Sequence, residues 1–97
     1  MNNDNITPQF YSEYRKGVTF MTTVSMDEIK KLVSLQLGKR DVSDDSLLVE
    51  DLSAESADVA NIIAALEEKY QITVKESEIA KVRTPKDILE LVRWHLL

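Results

Sequence analysis

The sequence predicts an all-α fold: a small four-helix bundle, three main helices plus one short one, with a long loop between helices one and two. Three observations predict it. Apolar residues recur at helical spacing in three separate stretches. Hydroxyl and carboxylate start signals precede each of those stretches. Only two Gly and two Pro stand among the 97 residues, so the chain is poor in loops and favours helices.

The first 24 residues differ from the rest and are expected to form an N-terminal extension to a bundle over 25–97. They hold four of the six aromatics (Phe10, Tyr11, Tyr14, Phe20). Thr7-Pro8 is a good helix start, with Thr as cap and Pro at the first position. A short helix over 8–16 is expected there, with Phe10 and Tyr14 as i, i+4 neighbours and Gly17 as its stop.

Ser25-Met26-Asp27-Glu28 reads as a capping box that starts the first main helix. Met26, Ile29, Leu32, Val33 and Leu37 follow on one face, and Gly38 ends it. Residues 38–55 form a connection near the upper limit for a structureless loop, so Val42, Leu47, Leu48, Val49 and Leu52 are expected to anchor it to the core. The second helix is predicted over Ser56 to Tyr70. Val59, Ile62, Ile63, Leu66 and Tyr70 make one apolar stripe, while Ala57, Ala60 and Ala64 make a second, small-residue face. Ile72 and Val74 have no partner strand. A short helical turn is expected over Glu76 to Lys81, with Ile79 and Val82 facing in. Thr84-Pro85 opens the last helix, with Asp87 at the third position and Ile88, Leu91, Val92 and His95 on one face.

Composition narrows the function. Zero Cys removes a disulfide framework, a thiolate zinc site and a Cys nucleophile, and one His removes a multi-histidine metal site. A formal charge of −5 argues against nucleic acid and against an anionic membrane surface. No apolar run is long enough to span a membrane and no secretory signal is visible, so a cytoplasmic address is expected. The charge is unevenly placed. Residues 1–40 and 69–97 each carry a net +2, while residues 41–68 hold nine acids and no base. That segment is either a solvated acidic face or a landing site for a basic partner.

Catalytic constellations are weak. His95 sits in the last turn of the last helix with no nearby Ser, and reads as a helix-end histidine. Nothing argues that the pairs Asp44-Asp45, Glu50-Asp51 and Glu67-Glu68 have the split pKa values that acid/base work requires. Asp41 to Asp51 lacks the mid-loop Gly and the spacing of a calcium loop, so no metal site is expected. What stands out is Ser56, at the start of the second helix. Its hydroxyl is either a helix cap or a modification site, and the residues alone leave the two about even.

At these residues a family resemblance appears. Residues 26–97 resemble an acyl carrier protein, the small helical bundle that carries acyl groups on a 4′-phosphopantetheine arm. Val49-Glu50-Asp51-Leu52-Ser53-Ala54-Glu55-Ser56-Ala57-Asp58 is similar to the family's E-D-L-G-A-D-S-L-D, and Ala65-Leu66-Glu67-Glu68-Lys69-Tyr70 to its A-L-E-E-x-F. The resemblance implies that Ser56 is the attachment serine and that a phosphopantetheinyl transferase, which brings its own Mg²⁺, moves the arm there from coenzyme A. It implies that the chain is a carrier and not an enzyme, that it acts as a monomer, and that acyl-transferring or condensing enzymes with basic docking patches are its partners. Glu50, Asp51, Glu55, Asp58, Glu67 and Glu68 would form the acidic face those patches read. Val49, Ile62, Leu66, Val74, Ile79 and Val82 would line an interior that could shelter a chain, or serve as core alone.

Three departures point to a specialised carrier. The family's D-S-L is Glu55-Ser56-Ala57, and its Gly is Ser53. Ala57, Ala60 and Ala64 replace larger apolar residues on the partner-facing side of the second helix, and Asn61 stands where an acid is common. The rival readings are an aminoacyl or peptidyl carrier, an unmodified interaction module of the same fold and, more remotely, a hydrolase using His95.

Overall fold

The computed structural model describes residues 24–97. The helix expected over 8–16 lies outside the described residues. Four helices follow in order: α1 (Met26–Leu37), α2 (Ser56–Tyr70), α3 (Glu76–Ile79) and α4 (Pro85–Leu96). No strand occurs among the described residues.

α1 begins where the Ser25 hydroxyl accepts the Glu28 N–H at 3.2 Å. The other half of the expected capping box is not made, because the Glu28 carboxylate is committed to α2. It accepts the Tyr70 hydroxyl and the Lys69 ammonium, each at 2.5 Å. Burial works against the Glu28 charge, but those two hydrogen bonds and the Lys69 charge win, so its pKa falls below the usual range. Burial and the same carboxylate push the Tyr70 hydroxyl up to about 12. The start of α1 is thereby tied to the end of α2. Gly38 then closes α1 at φ 67°, a left-handed value that glycine takes without a Cβ penalty.

One face of each main helix is buried: Ile29 and Val33 of α1, Val59, Ile62, Ile63 and Leu66 of α2, and Ile88, Leu89 and Val92 of α4. α1 packs on both α4 and α2, and α3 rests on α2. Each fully buried Leu or Ile is worth roughly 1.5–3 kcal/mol, so the stripe on α2 holds the bundle. The short third helix stops at Ile79, two residues before the expected end, and both Ile79 and Val82 are only half-buried.

The connection from α1 to α2 packs as expected, with Leu48, Leu52 and Ala54 buried. It is sewn down by backbone bonds, Leu48 N–H to the Arg83 carbonyl at 2.8 Å and Lys86 N–H to the Asp44 carbonyl at 3.0 Å. The expectation for Val49 was wrong, since it is 59% exposed. The chain makes one helix-like turn here, closed by Asp51 N–H to the Leu47 carbonyl at 2.8 Å. Within such a turn Leu48 and Leu52 share a face, while Val49 is rotated outward.

α4 carries the full reciprocal start that the sequence predicts. Thr84 Oγ1 accepts the Asp87 N–H at 3.1 Å, and the Asp87 carboxylate accepts the Thr84 and Arg83 N–H groups at 3.2 and 2.9 Å. Near its end His95 Nε2 lies 3.0 Å from Glu78 Oε2, linking α4 to α3. The Lys75 N–H and His95 hold the Glu78 carboxyl below its ordinary value.

Candidate functional site

The loop delivers the chain to α2 through a left-handed residue. Ser53 has φ 60°, and its N–H returns to the Val49 carbonyl at 3.1 Å, the single-bond ending of a helical turn. Ala54 follows, buried, with its N–H on the Leu48 carbonyl at 2.8 Å. Between two buried anchors, Leu52 and Ala54, the backbone has little room to choose another path. An L-residue in the left-handed region costs roughly 1–2 kcal/mol. The family glycine that Ser53 replaces would avoid it.

Glu55 is the N-cap residue of α2, with φ −100° and ψ 164°, and Ser56 is the first helical residue. The carboxylate of Asp58 accepts the Glu55 N–H at 2.9 Å, closing the turn from the helix side. Its other oxygen accepts the Gln36 amide at 3.2 Å, so Asp58 also ties α2 to α1. The Glu55 N–H, and after it the Gln36 amide, hold the Asp58 carboxyl below the usual aspartate range. Ser56 itself is exposed, and no described residue forms a hydrogen bond with its hydroxyl. Ser56 does not cap the helix, because Glu55 holds that position. Its oxygen is open to an ester-linked group, with solvent around it and the positive end of α2 beneath it.

The acids expected on the recognition face divide into two sets. Asp51 accepts the Leu47 N–H at 2.9 Å, Asp58 is held as described, and Glu67 accepts the Val74 N–H at 2.8 Å. These three are structural pins as well as charges. Asp58 and Glu67 are half-buried, turned toward α1 and toward the α2–α3 connection. The carboxylates of Glu50 and Glu68 are exposed and form no hydrogen bond with a described residue, whereas Glu55, also exposed, takes part in the reciprocal start of α2. Ala57, Ala60, Asn61, Ala64 and Glu68 are all exposed on one stripe at i, i+3, i+4, i+7 and i+11 of α2. This stripe runs away from Ser56 as a flat, nearly uncharged face with acids at its edges. Among the described residues no group of His, Asp and Glu is arranged to hold a metal ion.

Sequence reasoning missed the Glu28–Tyr70–Lys69 contact and the local duties of Asp58 and Glu67. A carboxylate three residues after a helix start was available as a signal for Asp58. Nothing in the spacing signals Glu28 to Tyr70.

A family model for the phosphopantetheine attachment site matches residues 27–92. The acyl carrier protein of Chlamydia trachomatis serovar L2 is 35% identical over 71 residues, spanning 71% of this chain and 92% of that protein. The acyl carrier protein of Wolinella succinogenes is 37% identical over 68 residues, spanning 68% and 90%. In fold, the acetyl actinorhodin acyl carrier protein of Streptomyces coelicolor matches with a TM-score of 0.63 at 23% identity, over 77% of this chain and 93% of that one. The acyl carrier protein of Thermotoga maritima matches with the same score at 25% identity, over 73% and 85%.

The bundle and these matches define a carrier domain with a phosphopantetheine attachment site. More narrowly, the chain belongs to the acyl carrier protein family, whose members are carriers rather than enzymes and hold a covalently attached 4′-phosphopantetheine.

Proposed function

We propose that Ser56 is the attachment serine and that the chain carries acyl groups for a dedicated pathway. The observation that carries this is an exposed hydroxyl at the first position of α2, bonded to no described residue, while Glu55 and Asp58 close the helix start without it. The attached group supplies the thiol that this Cys-free chain lacks, on which acyl groups are held as thioesters. The protein's own residues present that group. The loop turn through Ser53 leads into α2, and Asp58 occupies the Glu55 N–H, so that donor would not be available to a phosphate attached at Ser56. Glu50, Glu55 and Glu68 are the charges available to basic patches on a transferase and on acyl-transferring or condensing enzymes.

Large side chains usually anchor an interface, and the partner-facing stripe of α2 has none. This supports partners other than the general fatty-acid enzymes, whose docking the flat Ala57, Ala60 and Ala64 face should weaken. The test is turnover of the loaded protein by fatty-acid synthesis enzymes beside a housekeeping carrier; equal rates would remove the dedicated-pathway reading. Attachment is tested by intact mass after incubation with coenzyme A, Mg²⁺ and a broad-specificity transferase. The protein should gain one phosphopantetheine, lost in Ser56→Ala. No gain, with transferases from the same source included, would leave an unmodified acidic interaction module.

A further inference from the structure

α1, α2 and α4 each bury an apolar face, but α3 does not. It has four residues and none of them is buried. Ile79, and Val82 just after the helix, pack against the core and are only half-buried. So short a helix does not hold itself, since one turn does not repay its nucleation. It rests on α2 on one side. On the other it is fastened by a polar contact, Glu78 Oε2 at 3.0 Å from His95 Nε2 in the last turn of α4. The His95 and Glu78 side chains are 22% and 27% exposed, so solvent and salt screen the pair only in part.

Glu78 has two duties. Its Oε1 accepts the Lys75 N–H at 2.9 Å and so begins α3, while Oε2 is presented to α4. The Lys75 N–H, and after it His95, hold the Glu78 carboxyl below its ordinary value, so it stays ionised at neutral pH. A histidine ring is the partner that changes charge between about pH 5 and 8. As imidazolium it forms an ion pair with the carboxylate; as the neutral ring it offers one uncharged donor, and a charge-assisted bond is about twice as strong. The surrounding charges do not compete. Among the described residues no charged group of α1 or α2 bonds to His95. Lys75 acts on Glu78 from the start of α3. Lys81, Asp87 and Glu90 line the groove beside Glu78, with Asp87 held by the Arg83 and Thr84 N–H groups. Arg93 lines a different groove, with Asp44 and Asp45. We infer that the His95–Glu78 contact is a pH-sensitive fastening of α3, closed when His95 is protonated and loosened when it loses the proton, so that Ile79 and Val82 become uncovered while α1, α2 and α4 stay packed.

The test is amide hydrogen exchange of the full chain at about pH 5 and about pH 8, the two ends of the histidine range, corrected for the intrinsic effect of pH on exchange. The reporters are the N–H groups of Ala80 and Val82, which bond to the Glu76 and Ile79 carbonyls. Their protection should fall roughly five-fold at the higher pH, as for replacing a charged hydrogen bond by a neutral one. Ile63 and Leu66 in the core of α2 should keep theirs, which shows that the bundle is intact. The midpoint of the fall should coincide with the titration of the His95 ring protons followed by NMR. His95→Gln, which keeps a neutral donor, should give the lower protection at both pH values. Equal corrected protection of Ala80 and Val82 at the two pH values in the parent would overturn the proposal. So would a fall that persists in His95→Gln or whose midpoint departs from that of the ring, either of which would assign it to another group.

Discussion

At the start of α4, Thr84 stands at the cap position and its hydroxyl accepts the Asp87 N–H at 3.1 Å, while the Asp87 carboxylate returns to the Thr84 N–H. At the start of α2 the carboxylate half is the same, with Asp58 on the Glu55 N–H at 2.9 Å. There, however, the hydroxyl residue has moved one position into the helix, and the cap position is held by Glu55. At α4 the hydroxyl is used up in the fold, whereas at α2 it is left in solvent. The two starts also differ in surroundings. Pro85 next to Thr84 is buried, while Ser56 and Ala57 are exposed. A shift of one residue in the register of the cap separates a structural hydroxyl from one available for chemistry.

This comparison can be broken at either helix. The largest effect is expected from Thr84→Ala, which leaves the Asp87 N–H without its acceptor and should cost about 1–2 kcal/mol in denaturant unfolding. Ser25→Ala, at the more exposed start of α1, should cost about 1 kcal/mol. Thr84→Ala should still be loaded with phosphopantetheine, because it lies outside the site.

A change of opposite sign is expected where the loop turns toward α2. Ser53→Gly relieves the left-handed strain and should raise the unfolding free energy by about 0.5–1 kcal/mol, the part of the strain that survives the entropy glycine loses on folding. Gln71, at φ 56° after α2, provides a second site for the same test away from Ser56. A Ser53→Gly protein no more stable than its parent would show that the turn is not strained.

The Asp58 pin gives a dependence on pH. Its carboxyl titrates lower in the folded protein than in the unfolded chain. The stabilisation it brings is therefore complete above about pH 4, near the ordinary aspartate value. It fades as pH falls through the lower folded value. Asp58→Asn should flatten the acid side of the stability profile while leaving the neutral side nearly parallel to the parent's. A profile of unchanged shape would mean that the Glu55 and Gln36 contacts do not hold the charge.

Much of this was legible in the chain. The bounds of α2, the Ser25 and Thr84 caps and the Gly38 stop follow from local signals, and the structure has them as read. Signals of that kind act over one helical turn. Val49 was misread because apolar residues adjacent in a loop have no periodicity to say which one faces in, and only the turn closed by Asp51 settles it. The Glu28–Tyr70 bond spans 42 residues, and no spacing rule reaches so far. The acidic segment was visible as a charge excess. Its division into pinned acids (Asp51, Asp58, Glu67) and acids with unbonded carboxylates (Glu50, Glu68) depends on which backbone N–H groups lie within reach, which only the fold decides. The exposed Ala57, Ala60 and Ala64 stripe was readable because it is the complement of the buried stripe on the same helix.

The most direct test of the account is Ser56→Ala beside the parent, with unfolding free energy and phosphopantetheine loading read on the same sample. The account predicts stability within about 0.5 kcal/mol of the parent, as for a surface change that removes no contact, together with complete loss of the mass gain. A loss of 1 kcal/mol or more, the size typical of a missing cap, or a mass gain that persists without the Ser56 hydroxyl, would contradict it.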